Sequence, residues 1–191
     1  MNDKMRALIA FGANLPFGAS LPAQTIADAV ACLDTRAVNV KACSRLFKTP
    51  CFPKGAGPDY VNAAAVLEVS ADMTPFALLQ HLHAVEARFG RSRNTRWGMR
   101  TLDIDLLALD SLVLPDPAGQ AHWRDLSPDD QARLSPDELI LPHPRLQDRA
   151  FVLVPLADIA PDWVHPILQR SVVQMLEALS AKDRAEVRVF A

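Results

Sequence analysis

Apolar residues dominate from Met5 to Phe11 and the run stops at Gly12, which predicts a first strand. Ile26, Ala29, Val30 and Leu33 then recur at helical spacing, with Pro22 suited to the first turn of that helix. Val38, Val40 and Ala42 alternate and predict a second strand within residues 37–47. Residues 48–59 read as a loop from their proline and glycine content, and Tyr60 to Val69 as a third strand. The clearest helix follows: Thr74 caps it, Pro75 fits its first position, and Gly90 ends it. Leu78, Leu79, Leu82, Val85 and Phe89 form its apolar face. Residues 101–109 predict a fourth strand. Residues 110–138 are polar and weakly patterned, with one short helix expected within 127–139. A short helix is expected from Pro144 or Arg145, a last helix over 171–180 and a last strand over 186–190. Strands next to each other in sequence mix with helices, so the pattern predicts an α+β sandwich rather than a doubly wound sheet. One domain over residues 1–191, with an inserted segment at about 110–138, accounts for the whole pattern.

Composition adds exclusions. With 191 residues, half of them hydrophobic, the chain can bury a sizeable core. A net charge of -2 argues against nucleic-acid or membrane partners recruited by bulk charge. Three cysteines, Cys32, Cys43 and Cys51, form neither a disulfide framework nor a zinc pattern, and free thiols suit a reducing compartment. No secretory leader pattern and no apolar run of membrane-spanning length is visible, so a cytoplasmic protein is expected.

Charge is concentrated in one place. Arg88, Arg91, Arg93, Arg96 and Arg100 fall within thirteen positions, and Asp103 and Asp105 follow inside a leucine- and isoleucine-rich strand. Side chains alternate along a strand, so the two aspartates share a face, their Cα atoms roughly 6–7 Å apart. Aspartate is disfavoured in strands, and two like charges so close call for a cation. Two carboxylates at this spacing suit Mg²⁺, with coordination positions left for phosphate oxygens and water. The plainer alternative is a pair of solvated aspartates on an exposed face. Arg93, Arg96 and Arg100 favour the first reading, because guanidinium groups grip phosphate bidentately. Trp97 within the loop also favours it, since a large aromatic there has something to cover. Metal on one side and arginine on the other would form opposite walls of a nucleotide-triphosphate site.

Two further groups stand out. His143, Arg145 and Arg149 lie in a proline-punctuated stretch and could add phosphate contacts, although a lone histidine is more often structural. Tyr60, the only tyrosine, and Asn62 share a strand face. They would offer a flat heterocycle one aromatic surface and one amide, or they belong to an ordinary strand with an aromatic packed inward.

Taken with the stretches Phe11–Leu15, Ser44–Ala64, Leu82–Leu107 and Leu141–Trp163, these motifs resemble the 6-hydroxymethyl-7,8-dihydropterin pyrophosphokinases of folate biosynthesis. The resemblance implies a ferredoxin-like α/β sandwich with a mainly antiparallel sheet and flexible active-site loops. It implies pyrophosphate transfer from ATP to the pterin hydroxymethyl group, giving AMP, with two Mg²⁺ ions on Asp103 and Asp105. Arg93 and Arg100 join the two aspartates as implied catalytic residues. The ATP side would comprise His83, Glu86, Arg93, Arg96, Trp97, Arg100, Leu106, His143 and Arg149. The pterin side would comprise Gly12, Thr49, Pro50, Phe52, Tyr60, Asn62, Trp97, Asp103 and Phe151, with stacking between Tyr60 and Phe151. Ala13 stands where the opening motif usually has serine, and His83 where glutamine is common. The expected partners are the two small substrates, with no nucleic acid and no membrane, and the chain is expected to be a monomer.

Two rival functions remain at this point. A Mg²⁺-dependent nucleotidyltransferase or nuclease could use the same aspartate pair without Tyr60 and Asn62. A ferredoxin-like RNA-binding module would need a basic sheet surface with exposed aromatics.

Overall fold

Lys4–Ala13 form strand β1, whose alternate side chains enter two different cores, and the architecture follows from that division. A computed structural model describes residues 4–51, 54–90 and 100–190. In chain order the elements are β1, α1 (Pro22–Leu33), β2 (Val38–Cys43), β3 (Phe47–Thr49), β4 (Tyr60–Ser70), α2 (Pro75–Arg88), β5 (Asp103–Leu109), α3 (Pro117–Arg124) and α4 (Pro128–Arg133). A 3₁₀ turn (Leu146–Asp148), α5 (Ala150–Ile159), α6 (Val172–Ala178), α7 (Ala181–Ala185) and β6 (Arg188–Val189) complete the chain.

The sheet order is β5-β1-β4-β3-β6, with β2 also paired to β4, and all these pairings are antiparallel. The first part of the chain therefore runs β-α-β-β-β-α-β, with β1 and β4 central and β2 and β3 both paired to β4 in the place of one strand, which is the expected ferredoxin-like α+β arrangement. Ala7, Ile9, Phe11, Ala63, Ala65, Leu67 and Ile104 face one layer, built with Ile26 and Leu33 of α1 and Leu78, Leu82 and Val85 of α2. Leu8, Ala10, Ala64, Val66 and Leu107 face the other, built with Val152, Leu153 and Leu156 of α5 and Val172 and Met175 of α6. Period-2 alternation on strands buried on both faces generates these two apolar layers. Among the described residues no helix is long and apolar enough to cross a membrane.

Helix α2 follows its sequence signals. Pro75 occupies its first turn and the Thr74 hydroxyl accepts from the Ala77 amide at 3.1 Å, a cap that contributes about 1 kcal/mol. Gly90 follows at φ +73°, where a Cβ would sit 2.8 Å from the Phe17 ring. The single strand expected over 37–47 is two strands. The Ser44 hydroxyl accepts from the Ala64 amide at 2.9 Å in place of a ladder carbonyl. Arg45 turns out to hold Asp158 of α5 through its backbone N–H and its guanidinium. β3 resumes at Phe47 and takes in Lys48 and Thr49, which loop composition had claimed. The segment before His143 holds two helices, α3 and α4, where one was expected, and α7 was not expected at all.

Candidate active site

One transverse row of residues crosses four strands. Phe47 of β3 pairs with Asn62 of β4, Asn62 with Gly12 of β1, and Gly12 with Asp103 of β5. All four are therefore on the face that carries α5 and α6. Gly12 leaves that row open at its centre. A Cβ there would lie 3.6 Å from Asn62 Oδ1 and 3.8 Å from Tyr60 Cδ1, so both groups look into the space above the glycine.

Asn62 is buried, and its orientation is set. Its Nδ2 donates to Thr49 Oγ1 at 2.8 Å, which leaves Oδ1 on the Gly12 side. One amide donor is used internally, while an acceptor and a second donor remain for a planar heterocycle with its own amide edge. Tyr60 opens β4 beside this space. Burial raises the pKa of its phenol, and the positive charge of Arg100 opposes the shift. Cys51 closes the adjoining turn. Its thiol donates to the Gly57 carbonyl at 3.0 Å and accepts from the Gly57 amide at 3.2 Å.

The next row holds Ala64, Ala10 and Asp105. Small side chains thus make a flat floor, bordered on one side by the two aspartates. The aspartates are partly exposed, whereas Ile104 and Leu106 between and after them are buried in the opposite layer. Arg100 pairs with Asp103, and Arg149 lies 3.7 Å from Asp105. Arg149 also stacks over Phe151 in the first turn of α5, at 5.6 Å. Burial pushes the Arg149 guanidinium down from its ordinary pKa and Asp105 partly restores it.

His143 faces the same acid. Its pKa is pushed down to about 4, chiefly by burial; Asp105 opposes the shift, and Arg149 and Arg145 reinforce it. The ring is therefore neutral at pH 7. Its Nδ1 accepts from the Arg145 amide at 3.1 Å, so the remaining proton sits on Nε2, a donor suited to a phosphate oxygen.

The structure brings Gly12, Thr49, Tyr60, Asn62, Arg100 and Asp103 to one end of the floor, and Asp105, His143 and Arg149 to the other. Pro50 directly follows β3, and Phe151 is on the helix covering this face. Leu106 and Glu86 lie elsewhere. Leu106 belongs to the core on the opposite side of the sheet. Glu86 is buried under β5, where its Oε1 accepts from the Ile104 amide at 2.7 Å. That places Glu86 as support for the aspartate strand, one layer behind the floor. His83 is half-buried on the same helix. Phe52, Arg93, Arg96 and Trp97 lie outside the described residues.

The donor set suits Mg²⁺. Asp103 and Asp105 offer hard carboxylate oxygens from one partly exposed strand face, enough for only part of a metal's coordination shell. That is the incomplete oxygen shell Mg²⁺ takes when a polyphosphate supplies the rest. Asn14 was not singled out in the sequence. It is buried, its Oδ1 accepts from the Arg100 amide at 2.9 Å, and its Nδ2 donates to the Pro58 carbonyl at 3.2 Å. It ties the turn beside Tyr60 to the residue that enters β5. The Gly-x-Asn spacing was the available signal.

A family model described as 7,8-dihydro-6-hydroxymethylpterin-pyrophosphokinase matches residues 8–161. The chain is 40% identical over 140 residues to the 2-amino-4-hydroxy-6-hydroxymethyldihydropteridine pyrophosphokinase of Synechocystis, a match covering 73% of this chain and 60% of that protein. It is 34% identical over 159 residues to the Methylorubrum extorquens protein of the same name, covering 83% of this chain and 85% of that one. Among solved structures it resembles Plasmodium falciparum wild-type HPPK-DHPS with a TM-score of 0.59 at 13% identity, covering 93% of this chain and 45% of that chain. An HPPK-DHPS in complex with substrates gives a TM-score of 0.61 at 14% identity, with coverages of 93% and 43%. The chain thus spans less than two thirds of the Synechocystis protein and less than half of either solved chain.

Proposed function

Since the chain belongs to the 7,8-dihydro-6-hydroxymethylpterin-pyrophosphokinase family, we propose that it transfers pyrophosphate from ATP to 6-hydroxymethyl-7,8-dihydropterin, releasing AMP. The observation that carries this reading is the row Asn62–Gly12–Asp103. It sets a heterocycle-sized floor with a fixed amide directly against an acidic pair. A nuclease needs the acids but not that floor.

The pterin lies on Gly12, its amide edge on Asn62 and its ring between Tyr60 and Phe151, with the backbone of the Thr49–Phe52 loop as a further contact. Its hydroxymethyl group then points along the floor toward Asp103. The triphosphate runs past Asp105 toward His143 and Arg149, with Arg100 at the pterin end and Arg93, Arg96 and Trp97 completing the nucleotide side. The hydroxyl oxygen attacks the β-phosphorus as the bond from that phosphorus to the α–β bridging oxygen breaks. AMP leaves with the bridging oxygen, and the hydroxyl proton passes to solvent. Asp103 and Asp105 would hold Mg²⁺, in two ions, which would neutralise phosphate charge during the transfer. Arg100 and Arg149 now pair with these aspartates, so on binding they exchange carboxylate for phosphate without losing a partner. His143 donates through Nε2 to a phosphate oxygen. Catalysis is then mostly positioning and charge neutralisation.

Asp103→Asn and Asp105→Asn test this directly. Each is expected to lower AMP formation from ATP, Mg²⁺ and the pterin roughly 100-fold or more, while the thermal midpoint moves little. Near-native AMP formation by either variant would remove the acidic pair from the chemistry.

A further inference from the structure

The segment between β5 and His143 returns to the active-site floor at its far end, where a polar contact holds it. Leu114 and Leu141 exchange both backbone hydrogen bonds, at 2.8 and 3.2 Å. The chain then passes through Pro142 to His143, whose amide donates to the Leu107 carbonyl at the end of β5 at 2.8 Å. Beneath Pro142 is Gln120 of α3, with no exposed surface. Its Nε2 donates to the Pro142 carbonyl at 3.1 Å, and its Oε1 accepts from Arg124 Nη1 at 3.2 Å. The amide has one workable orientation. Turned over, it would set carbonyl against carbonyl and an NH₂ against a guanidinium. Arg124 is itself gripped by Asp125 at 2.9 and 3.0 Å.

Helix α3 is fitted to hold Gln120 at this depth. Asp116 caps it, accepting from the Gly119 amide at 2.8 Å. A Cβ on Gly119 would lie 2.7 Å from Pro115 Cγ, so the glycine lets the first turn close on the strand pair. Burying a primary amide is costly unless its hydrogen bonds are made. An apolar side chain would serve if filling space were the only need.

We propose that Gln120 is a positioning residue for His143: it fixes the Pro142 carbonyl, and through it the height of the imidazole above Asp105. The inserted segment would then buttress the phosphate-binding wall. This rests on the reading of His143 as a phosphate donor.

Gln120→Met keeps the side-chain length and removes the donor. It is expected to lower kcat roughly 10- to 100-fold, the loss that a misplacement of about 1 Å produces. KM for the pterin, which lies at the other end of the floor, stays unchanged. The double variant Gln120→Met/His143→Ala is expected to be no slower than His143→Ala alone, because both changes remove one function. The positioning itself is read without turnover: the His143 amide should exchange with deuterium roughly tenfold or more faster in the variant, with core amides such as Ala65 unaffected. Should Gln120→Met fail to fold, Arg124→Met frees the same amide to turn and should give the same pattern at smaller amplitude. Native exchange at His143, a raised pterin KM, or rate losses that multiply in the double variant would overturn the proposal. If the native protein makes no AMP yet the His143 amide still responds, the reading of function fails and the positioning stands.

Discussion

Replacing Gly12 with alanine separates folding from binding. Gly12 is the next-to-last residue of β1, paired on both sides, and is not among the residues with positive φ, so its backbone accepts alanine without strain. The added methyl would meet Asn62 Oδ1 at 3.6 Å and Tyr60 Cδ1 at 3.8 Å, ordinary contact distances. Removing a strand glycine limits the unfolded chain and should stabilise the protein by about 0.5–1 kcal/mol. The same methyl occupies the space assigned to the pterin ring. Overpacking of a fitted site typically costs about 1–3 kcal/mol, which is roughly 5- to 150-fold in affinity. The assay is titration of the pterin into protein saturated with a non-hydrolysable ATP analogue, alongside a thermal melt. The expected result is a melting point equal to or above the native one and a pterin Kd raised within that range. Native pterin affinity would refute the placement of the ring on Gly12. A lowered melting point with unchanged affinity would make Gly12 a packing glycine and nothing more.

Two further predictions bear on neighbouring groups. Thr49→Val keeps the shape but removes the acceptor that orients Asn62, leaving its amide free to turn, so pterin affinity should fall roughly tenfold; an unchanged Kd in the same titration would show that the amide needs no support. His165 is fully buried, its pKa pushed down to about 4 first by burial and then by Arg124, and its Nδ1 accepts from the Ile167 and Leu168 amides at 3.2 Å. As pH falls below 6.5 the unfolded chain takes up a proton there and the native one does not, so stability present above that pH is lost progressively towards pH 4, by up to about 3 kcal/mol for this group. His143, shifted the same way, adds to the slope. Urea unfolding between pH 7 and 4.5 measures it, and a flat profile would contradict the burial argument.

The strands and the main helix were legible because period 2 and period 3.6 are imposed by burial, and this sheet is buried on both faces. The aspartate pair was legible for the same reason: alternation puts Asp103 and Asp105 on one face whatever the rest of the fold does. Register was not. Nothing in the local pattern says that Gly12 stands between Asn62 and Asp103, since pairing depends on residues about 50 and 90 positions away. The break at Ser44 was hidden because its cause is a hydroxyl acting as a ladder partner, not a breaker residue. Helix α3 carried its signals, Asp116 as cap and Pro117 behind it, but its apolar face is too short to announce a period. Gln120 could not be singled out: a polar residue in a polar segment shows its burial only in three dimensions.

The most direct test follows both substrates at once. Protein, ATP, Mg²⁺ and 6-hydroxymethyl-7,8-dihydropterin are combined and the phosphorus resonances recorded with time. AMP and a pterin diphosphate should grow in equal amounts as ATP disappears, with no ADP. ADP with a pterin monophosphate, or ATP consumption that does not depend on the pterin, would contradict a site in which the hydroxymethyl group at Asp103 meets the β-phosphate.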